Sequence, residues 1–308
     1  MVLEAIRGLF TLPAAEVGFS RIDLRHPNGW LRSLPAFIAG QDLLGFKILN
    51  RTDDVGMRYT IYVHRLSTGE LEGIVDALEI TNLRTGAVSA LATDYLAQGD
   101  VEVAAIVGTG PVARGQLRAL ELVRPAAETR VFARTPENRR SFVDAMSPVV
   151  SGRLVEANSL ENAVEGADLV TLATKASSPV LRADHLRSGM HVNSVGPASR
   201  DRIEVDPAAF DVFDRVVCDS AALVFDEAGD AHLASSREGF ARERAEDLVD
   251  VVTGSARREH TDELTLFKSV GNGAQDLVVA ARLLELAAAN SVGTVVADVN
   301  SIKSARGT

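Results

Sequence analysis

"AAIVGTGPVARGQLRAL", residues 104–120, decides the fold of this chain. An apolar run ends at Val107, and Gly108, Gly110 and Ala113 follow at the spacing of a dinucleotide-binding turn. The residues from Ala113 onward read as a helix. Gly108 permits a tight turn, Gly110 lets a pyrophosphate approach the backbone, and Ala113 allows helix and strand to pack closely. The N–H groups and positive dipole end at the helix start then meet phosphate charge. Glycines mark many tight turns, so the context matters: a buried strand before, a helix after and a second strand beyond.

Downstream the rhythm is strand, helix, strand, helix. "VAAIVG" and the helix after Ala113 are followed by "TRVFAR", "TPENRRSFVDAM", "RLVEA", "SLENAVEGA", "DLVTLAT", "ADHLRSG", "MHVNSVG" and "DRVVCDS". That alternation predicts a parallel sheet with crossover helices, the α/β class. Upstream, residues 1–98 are mixed. "GFKIL", "YTIYVHRL" and "LEGIVDA" read as strands, with "STGE" as the turn between the last two, and "EITNLRTGAVSALATDYLA" reads as a helix. The tail "AQDLVVAARLLELAAANSVG" is predicted as a long helix ending at Gly293.

The end of the second strand selects the nucleotide. An NAD site usually places Asp or Glu there for the ribose hydroxyls, whereas this chain reads "VFARTPENR" with Arg134 and Thr135 at that point. A guanidinium can fork onto a 2′-phosphate and a hydroxyl can add a bond, so NADP(H) is favoured and NAD(H) is the second option.

The bulk numbers bound the partners. The 308 residues suffice for two domains, and 46% hydrophobic with 24% charged residues is an ordinary globular composition. A net charge of −10 argues against nucleic acid. No apolar run approaches the roughly 20 residues that span a bilayer, and "MVLEAIRGLF" lacks the features of a signal peptide. A cytoplasmic protein is expected. The one cysteine, Cys218, sits in "RVVCDS" and reads as a small buried apolar residue. The six histidines show no metal-ligand spacing, and His191 reads as a hydrogen-bonded structural residue. No metal is expected. The acidic run "FDEAGD", 225–230, reads as a solvated loop rather than a cation site.

Several separated stretches resemble one family. "GFKILN", "EITNLRTGAVSALATDYLA", "VGTGPVA", "GMHVNSVG" and "LTLFKSVGNGAQDL" are together similar to the ornithine cyclodeaminase and μ-crystallin family, from about Arg21 to Gly293. The resemblance implies a Rossmann-type cofactor domain, here 99–276, and a second α/β domain for substrate and dimerisation built from both chain ends. That second domain would be residues 1–98 with 277–308 packing back on it, and a homodimer is implied. The N-terminus is shorter than usual for the family, as though a first helix were missing.

Position by position, the resemblance makes Lys47 the lysine that faces the substrate's carboxylate and reacting carbon, and the catalytic residue. Arg84 matches the arginine between substrate carboxylate and cofactor, Arg21 approximates a further carboxylate-binding arginine, and Val270 lines the substrate side. Thr85 falls near the cofactor phosphates, beside the turn Gly108, Thr109, Gly110, Pro111, Val112 and Ala113. Thr174, the segment Val192, Asn193, Ser194 and Val195, and Ser269 match the nicotinamide side.

The pattern also breaks. Cyclodeaminases carry an aspartate where "NSVGPASRDRIEVD" places Ala198, and a methyl group cannot move a proton. Ser199 and Asp201 are the nearest polar substitutes. Gly56 and Arg65 replace a frequent threonine and aspartate, and Arg32 stands where ornithine-specific members place a glutamate. What survives suits hydride transfer at a C=N or C–N bond next to a carboxylate, as in a ketimine reductase or amino acid dehydrogenase acting on a small carboxylate-bearing imine or amino acid. The alternatives are an ornithine or lysine cyclodeaminase using Asp201, and a catalytically silent protein that binds NADP and a carboxylated ligand.

Overall fold

A computed structural model describes residues 1–196, 198–236 and 239–296. The chain divides into two compact units. One comprises Met1–Ala5, Leu12–Thr81 and the described residues from Asn272; the other comprises Ile6–Thr11 and Asn82–Gly271. The expectation for residues 297–308 lies outside the described residues.

The chain begins with a helix, α1 (Val2–Phe10). Its apolar residues Ile6, Leu9 and Phe10 recur at three- and four-residue spacing and are buried. Six strands follow: β1 (Val17–Phe19), β2 (Ile22–His26), β3 (Gly29–Ile38), β4 (Leu43–Thr52), β5 (Gly56–Arg65) and β6 (Leu71–Asp76). They form an antiparallel sheet in the order β1-β3-β4-β5-β6, with β2 also paired to β3. The first three strands carry few of the marks that betray a strand in sequence; β2 is exposed along its length. Alternation is clearest in the centre, where Leu34, Ala36, Ile38, Lys47, Ile61 and Val63 are buried on one face. Pairing of Leu34 with Lys47, and of Lys47 with Ile61, puts a lysine in the middle of that apolar face.

Helix α2 (Leu78–Leu96) leads into the second unit. There β7 (Val101–Val107), α3 (Pro111–Leu120), β8 (Ala126–Phe132), α4 (Pro136–Met146), β9 (Arg153–Glu156), α5 (Leu160–Val164) and β10 (Leu169–Leu172) alternate as the sequence predicts. After β11 (Ser177–Leu181) come β12 (His191–Ser194), β13 (Ile203–Val205), β14 (Arg215–Cys218), α6 (Ala221–Glu227), α7 (Gly229–Ser235), β15 (Ala245–Asp247), α8 (Leu248–Thr253) and β16 (Thr265–Lys268). Where "ADHLRSG" was expected to supply a helix, only a three-residue 3-10 turn, Ala183–His185, forms.

Eight strands make one parallel sheet in the order β15-β14-β16-β12-β10-β7-β8-β9. Residues along β7 alternate between two cores. Ala105 and Val107 join Phe210, Phe213 and Phe225 on one side. Ala104 and Ile106 join Leu117, Phe142 and Met146 on the other. A strand covered on both faces reads as a continuous apolar run, which is why β7 is legible. Cys218 is fully buried in the first of these cores; burial, with Asp219 and Asp247 nearby, pushes its thiol well up.

The chain then returns to the antiparallel sheet as α9 (Gly273–Ala289), which packs on β3, β4 and β5. The Asn272 side chain accepts from the backbone N–H groups of Ala274 and Gln275 and caps its start. Residues Gly273 to Ala280 of α9 are buried.

Candidate functional site

The chain order of the parallel sheet reverses between β7 and β10, which opens a crevice at the strand ends. Gly108 crosses it with φ +114, a backbone conformation that suits glycine. A Cβ there would lie 2.3 Å from the Ala173 carbonyl oxygen, while the Gly108 N–H donates to Phe132 O on the other side at 2.8 Å. Gly110 is the N-cap of α3, Pro111 occupies its first turn, and no side chain caps it. Space around Gly110 is open to 4 Å, and Ala113 is fully buried beneath the turn. Thr109 and Val112 are half-buried and Pro111 is exposed. Uncapped N–H groups beside open space fit a pyrophosphate.

Arg134 and Thr135 both lie exposed just past the end of β8. Thr135 is the N-cap of α4 without a side-chain cap bond. Arg139 steadies this strand end by donating to Ala133 O at 2.7 Å and stacking its guanidinium on the Phe132 ring.

The positions expected to line the nicotinamide lie at the carboxyl ends of β10, β12 and β16. Val192, Asn193, Ser194 and Val195 are buried, and Asn193 donates to Thr93 Oγ1 at 2.9 Å. Thr174 and Ser194 are both held by Glu204, whose carboxylate the sequence did not mark. Ser269 Oγ and the backbone N–H groups of Val270 and Gly271 donate to Asp219, a second unmarked carboxylate. Lys268 Nζ sits 2.8 Å from Asp230 Oδ2 and 2.8 Å from Ser194 Oγ, with both charged side chains wholly buried. This corrects the reading of 225–230 as a solvated loop: those residues end α6 and begin α7, and Asp230 is 1% exposed. Its burial is possible because a lysine from β16 neutralises it, a pairing that no local pattern reveals.

Arg84 and Thr85 lie on α2 and are buried. The Arg84 guanidinium passes so close to Gly271 that a Cβ there would lie 2.3 Å from Nη1. Gly271 has φ +73, so two constraints demand glycine. The "SVG" sequence thus makes room for the arginine.

In the antiparallel unit, Lys47 is 2% exposed. Its Nζ lies 2.6 Å from Asp276 Oδ2 of α9 and 3.4 Å from Thr81 Oγ1. The Thr81 hydroxyl donates to Ala77 O at 2.7 Å, which turns its lone pairs toward the ammonium. Arg21 lies between β1 and β2 with its Nε and Nη1 atoms buried.

Ala198 occupies a bend, and Asp201 is a surface carboxylate in contact with Ser199 Oγ and, at 3.5 Å, with Arg202. Arg32 is engaged by the cross-strand Asp23 through two bonds of 2.6 and 2.8 Å. Arg65 pairs with Asp42 and Glu72, and Gly56 adopts φ +94 at the start of β5. His191 is fully buried against Thr265 Oγ1 at 2.8 Å, and burial lowers its pKa to about 3. Among the described residues no group of His, Cys, Asp and Glu could hold a metal ion, and no helix is long and apolar enough to cross a membrane.

Fold and site define a class: an α/β protein with a dinucleotide-type parallel sheet and a separate antiparallel unit carrying a buried lysine. The chain belongs to the ornithine cyclodeaminase/mu-crystallin family, whose model matches residues 17–291. It is 30% identical over 269 residues to the Delta(1)-pyrroline-2-carboxylate reductase of Bacillus thuringiensis, covering 84% of this chain and 82% of that protein. It is 31% identical over 262 residues to the ketimine reductase mu-crystallin of Macropus fuliginosus, covering 82% and 79%. The structure of the Thermococcus litoralis Delta(1)-pyrroline-2-carboxylate reductase, in complex with NADH and L-proline, superposes with a TM-score of 0.90 at 30% identity. That match covers 96% of this chain and 95% of the other.

Proposed function

We propose that the protein is an NAD(P)-dependent oxidoreductase that reduces the C=N bond of a cyclic imine next to a carboxylate. The observation that carries this reading is Lys47, an ammonium wholly buried in an apolar sheet face and held by Asp276. An ordinary strand lysine would stay in water, because burying a charge costs several kcal/mol before its partner offsets it. The relatives' names, a pyrroline-carboxylate reductase and a ketimine reductase, support the same substrate class.

A nicotinamide dinucleotide held in the parallel-sheet unit would supply the hydride. The chain's own residues supply the rest. Gly108, Thr109, Gly110, Pro111, Val112 and Ala113 seat the pyrophosphate at the start of α3, with Thr85 beside the phosphates. Arg134 and Thr135 take the 2′-phosphate of NADP(H), which we favour over NAD(H). Thr174, Val192–Val195 and Ser269 line the nicotinamide. Arg84, Arg21 and Val270 bind the substrate, the two arginines through its carboxylate. Lys47 holds that carboxylate or gives a proton to the nitrogen as electrons arrive there, a role that fits an ammonium with an acidic partner behind it.

A cyclodeaminase also needs a carboxylate to move protons during deamination. Ala198 has none, and Asp201 lies on the surface with Ser199 and Arg202. Reduction without deamination is therefore the better reading. A homodimer completes it: the sheet face opposite α9 exposes Phe37, Leu44 and Ile74 with Phe46 and Tyr62 stacked between the strands, a patch suited to a second copy. A cytoplasmic location, where reduced nicotinamide is supplied, belongs to the same proposal.

The test is an assay of the purified chain with NADPH or NADH and Delta(1)-pyrroline-2-carboxylate. Loss of the reduced-nicotinamide absorbance, abolished by Lys47→Ala, is expected. Ammonia release from ornithine without net cofactor use would favour the cyclodeaminase. Tight cofactor binding with no turnover on any imine would favour a silent binding protein.

A further inference from the structure

Behind the nicotinamide-lining strand ends lies a buried charge cluster whose sum is not zero. Glu204 is fully buried on β13. Its Oε1 accepts from Thr174 N at 2.6 Å and Thr174 Oγ1 at 2.9 Å; its Oε2 accepts from Ser194 Oγ at 2.8 Å and Gly196 N at 2.9 Å. Two of these donors are backbone N–H groups, which cannot accept. The direction of the Ser194 bond is set as well. Lys268 Nζ can only donate, so the Ser194 hydroxyl accepts from it and passes its own hydrogen to Glu204. Thr174 Oγ1 likewise accepts from Ala176 N and donates to Glu204. Four donors converge on one carboxyl group, which is the environment of an ionised carboxylate.

Asp230 is ionised by the same reasoning. Its Oδ2 accepts from Lys268 Nζ and from the N–H groups of Glu204 and Val205, and its Oδ1 accepts from Ala231 N. Two carboxylates thus share one ammonium, and all three side chains are at most 1% exposed.

We propose that the buried carboxylate of Glu204, in excess over its ammonium neighbour, biases the cofactor site toward the oxidised, cationic nicotinamide. The inference rests on the reading that this unit binds a nicotinamide dinucleotide, and it deepens that reading by a residue that acts without touching substrate. Glu204 is a positioning residue: it fixes Thr174 and Ser194, and its charge is screened little by solvent. The reduced ring is neutral and the oxidised ring carries a positive charge, so a fixed anion nearby stabilises only the latter. Such a bias favours hydride donation, because donation turns the neutral ring into the cation.

Calorimetric titration of the whole chain with NADP+, NADPH, NAD+ and NADH reads this directly, apart from any turnover. Glu204→Gln keeps the side-chain shape and removes the charge. The dissociation constant of the oxidised form is expected to rise about fivefold relative to that of the reduced form. Glu204→Asp, which keeps the charge, should hold the ratio within about twofold of the parent. Asp230→Asn removes the second anion and should move the ratio in the same direction as Glu204→Gln, which secures the test if the latter does not fold. Equal weakening of both forms in the charge-removing variants would overturn the bias and leave Glu204 a wall-holding residue only. A parent protein that binds neither form would instead overturn the cofactor reading on which the inference stands.

Discussion

Lys47 Nζ and Asp276 Oδ2 lie 2.6 Å apart, with both side chains at most 1% exposed. One comes from the middle of β4 and the other from the first turns of α9, so the two ends of the chain meet in one ion pair. Removing either partner takes the nearest counter-charge from a buried ion. Asp276→Ala is expected to cost about 3–5 kcal/mol in chemical denaturation. The double variant Lys47→Met with Asp276→Leu should regain most of that stability, since apolar groups of similar volume replace a buried pair well, yet remain inactive. A double variant that recovers activity would show the pair to be structural alone.

Gly271 is expected to tolerate no side chain. A Cβ there would lie 2.3 Å from Arg84 Nη1, and the positive φ adds strain of its own. Gly271→Ala should displace the arginine and raise KM for the imine at least about tenfold, a loss of about 1.4 kcal/mol in binding. Dinucleotide affinity should change far less. Gly108→Ala should do the reverse if the glycine turn seats the dinucleotide as proposed, since its Cβ would meet the Ala173 carbonyl.

Under the proposed function, Arg134 is expected to set the choice of nucleotide. It is exposed just past the end of β8, where the sequence has Arg and Thr rather than Asp or Glu. Arg134→Glu is expected to lower kcat/KM with NADPH by about a hundredfold through lost pairing and new repulsion. Kinetics with NADH should be unchanged or improved. Equal effects on both cofactors would place the 2′-phosphate elsewhere.

His191 makes stability depend on pH. Burial lowers its pKa from 6.5 to about 3, so between these values the unfolded chain binds a proton that the folded chain refuses. Stability from this group is complete above about pH 6.5 and is lost as pH falls. By pH 5 the loss is about 2 kcal/mol, and it grows until the folded pKa is reached. His191→Gln should flatten the decline in melting temperature over that range. An unchanged slope would shift the effect to other groups.

The hydroxyl of Thr265 orients that histidine. It donates to Leu96 O, so the His191 Nδ1 must be the donor to it, which fixes the tautomer. In sequence, His191 carried only the hint that a histidine beside a buried strand is structural.

Other parts of the protein divide along the same line. The turn at Gly108–Ala113 was legible because strand, glycine and helix are local in the chain, and each residue type there answers to a backbone requirement of its own. The alternation after Val101 and the long terminal helix were legible for the same reason: periodicity records which face is covered. Strands β1 to β3 were not, because β2 is exposed along its length and shows no apolar alternation. Helix α1 was missed although its apolar spacing is regular.

By itself the sequence determined the parallel-sheet unit, its glycine turn, and Lys47 as a residue of interest through family resemblance. Only the tertiary structure decided which carboxylates stand behind the functional groups: Asp276 for Lys47, Glu204 and Asp230 around Lys268, Asp219 under the turn at Ser269. A backbone turn is set by neighbours in the chain. A buried charge, in contrast, is stable only where the fold brings its counter-charge within a few ångströms, and sequence distance carries no record of that meeting.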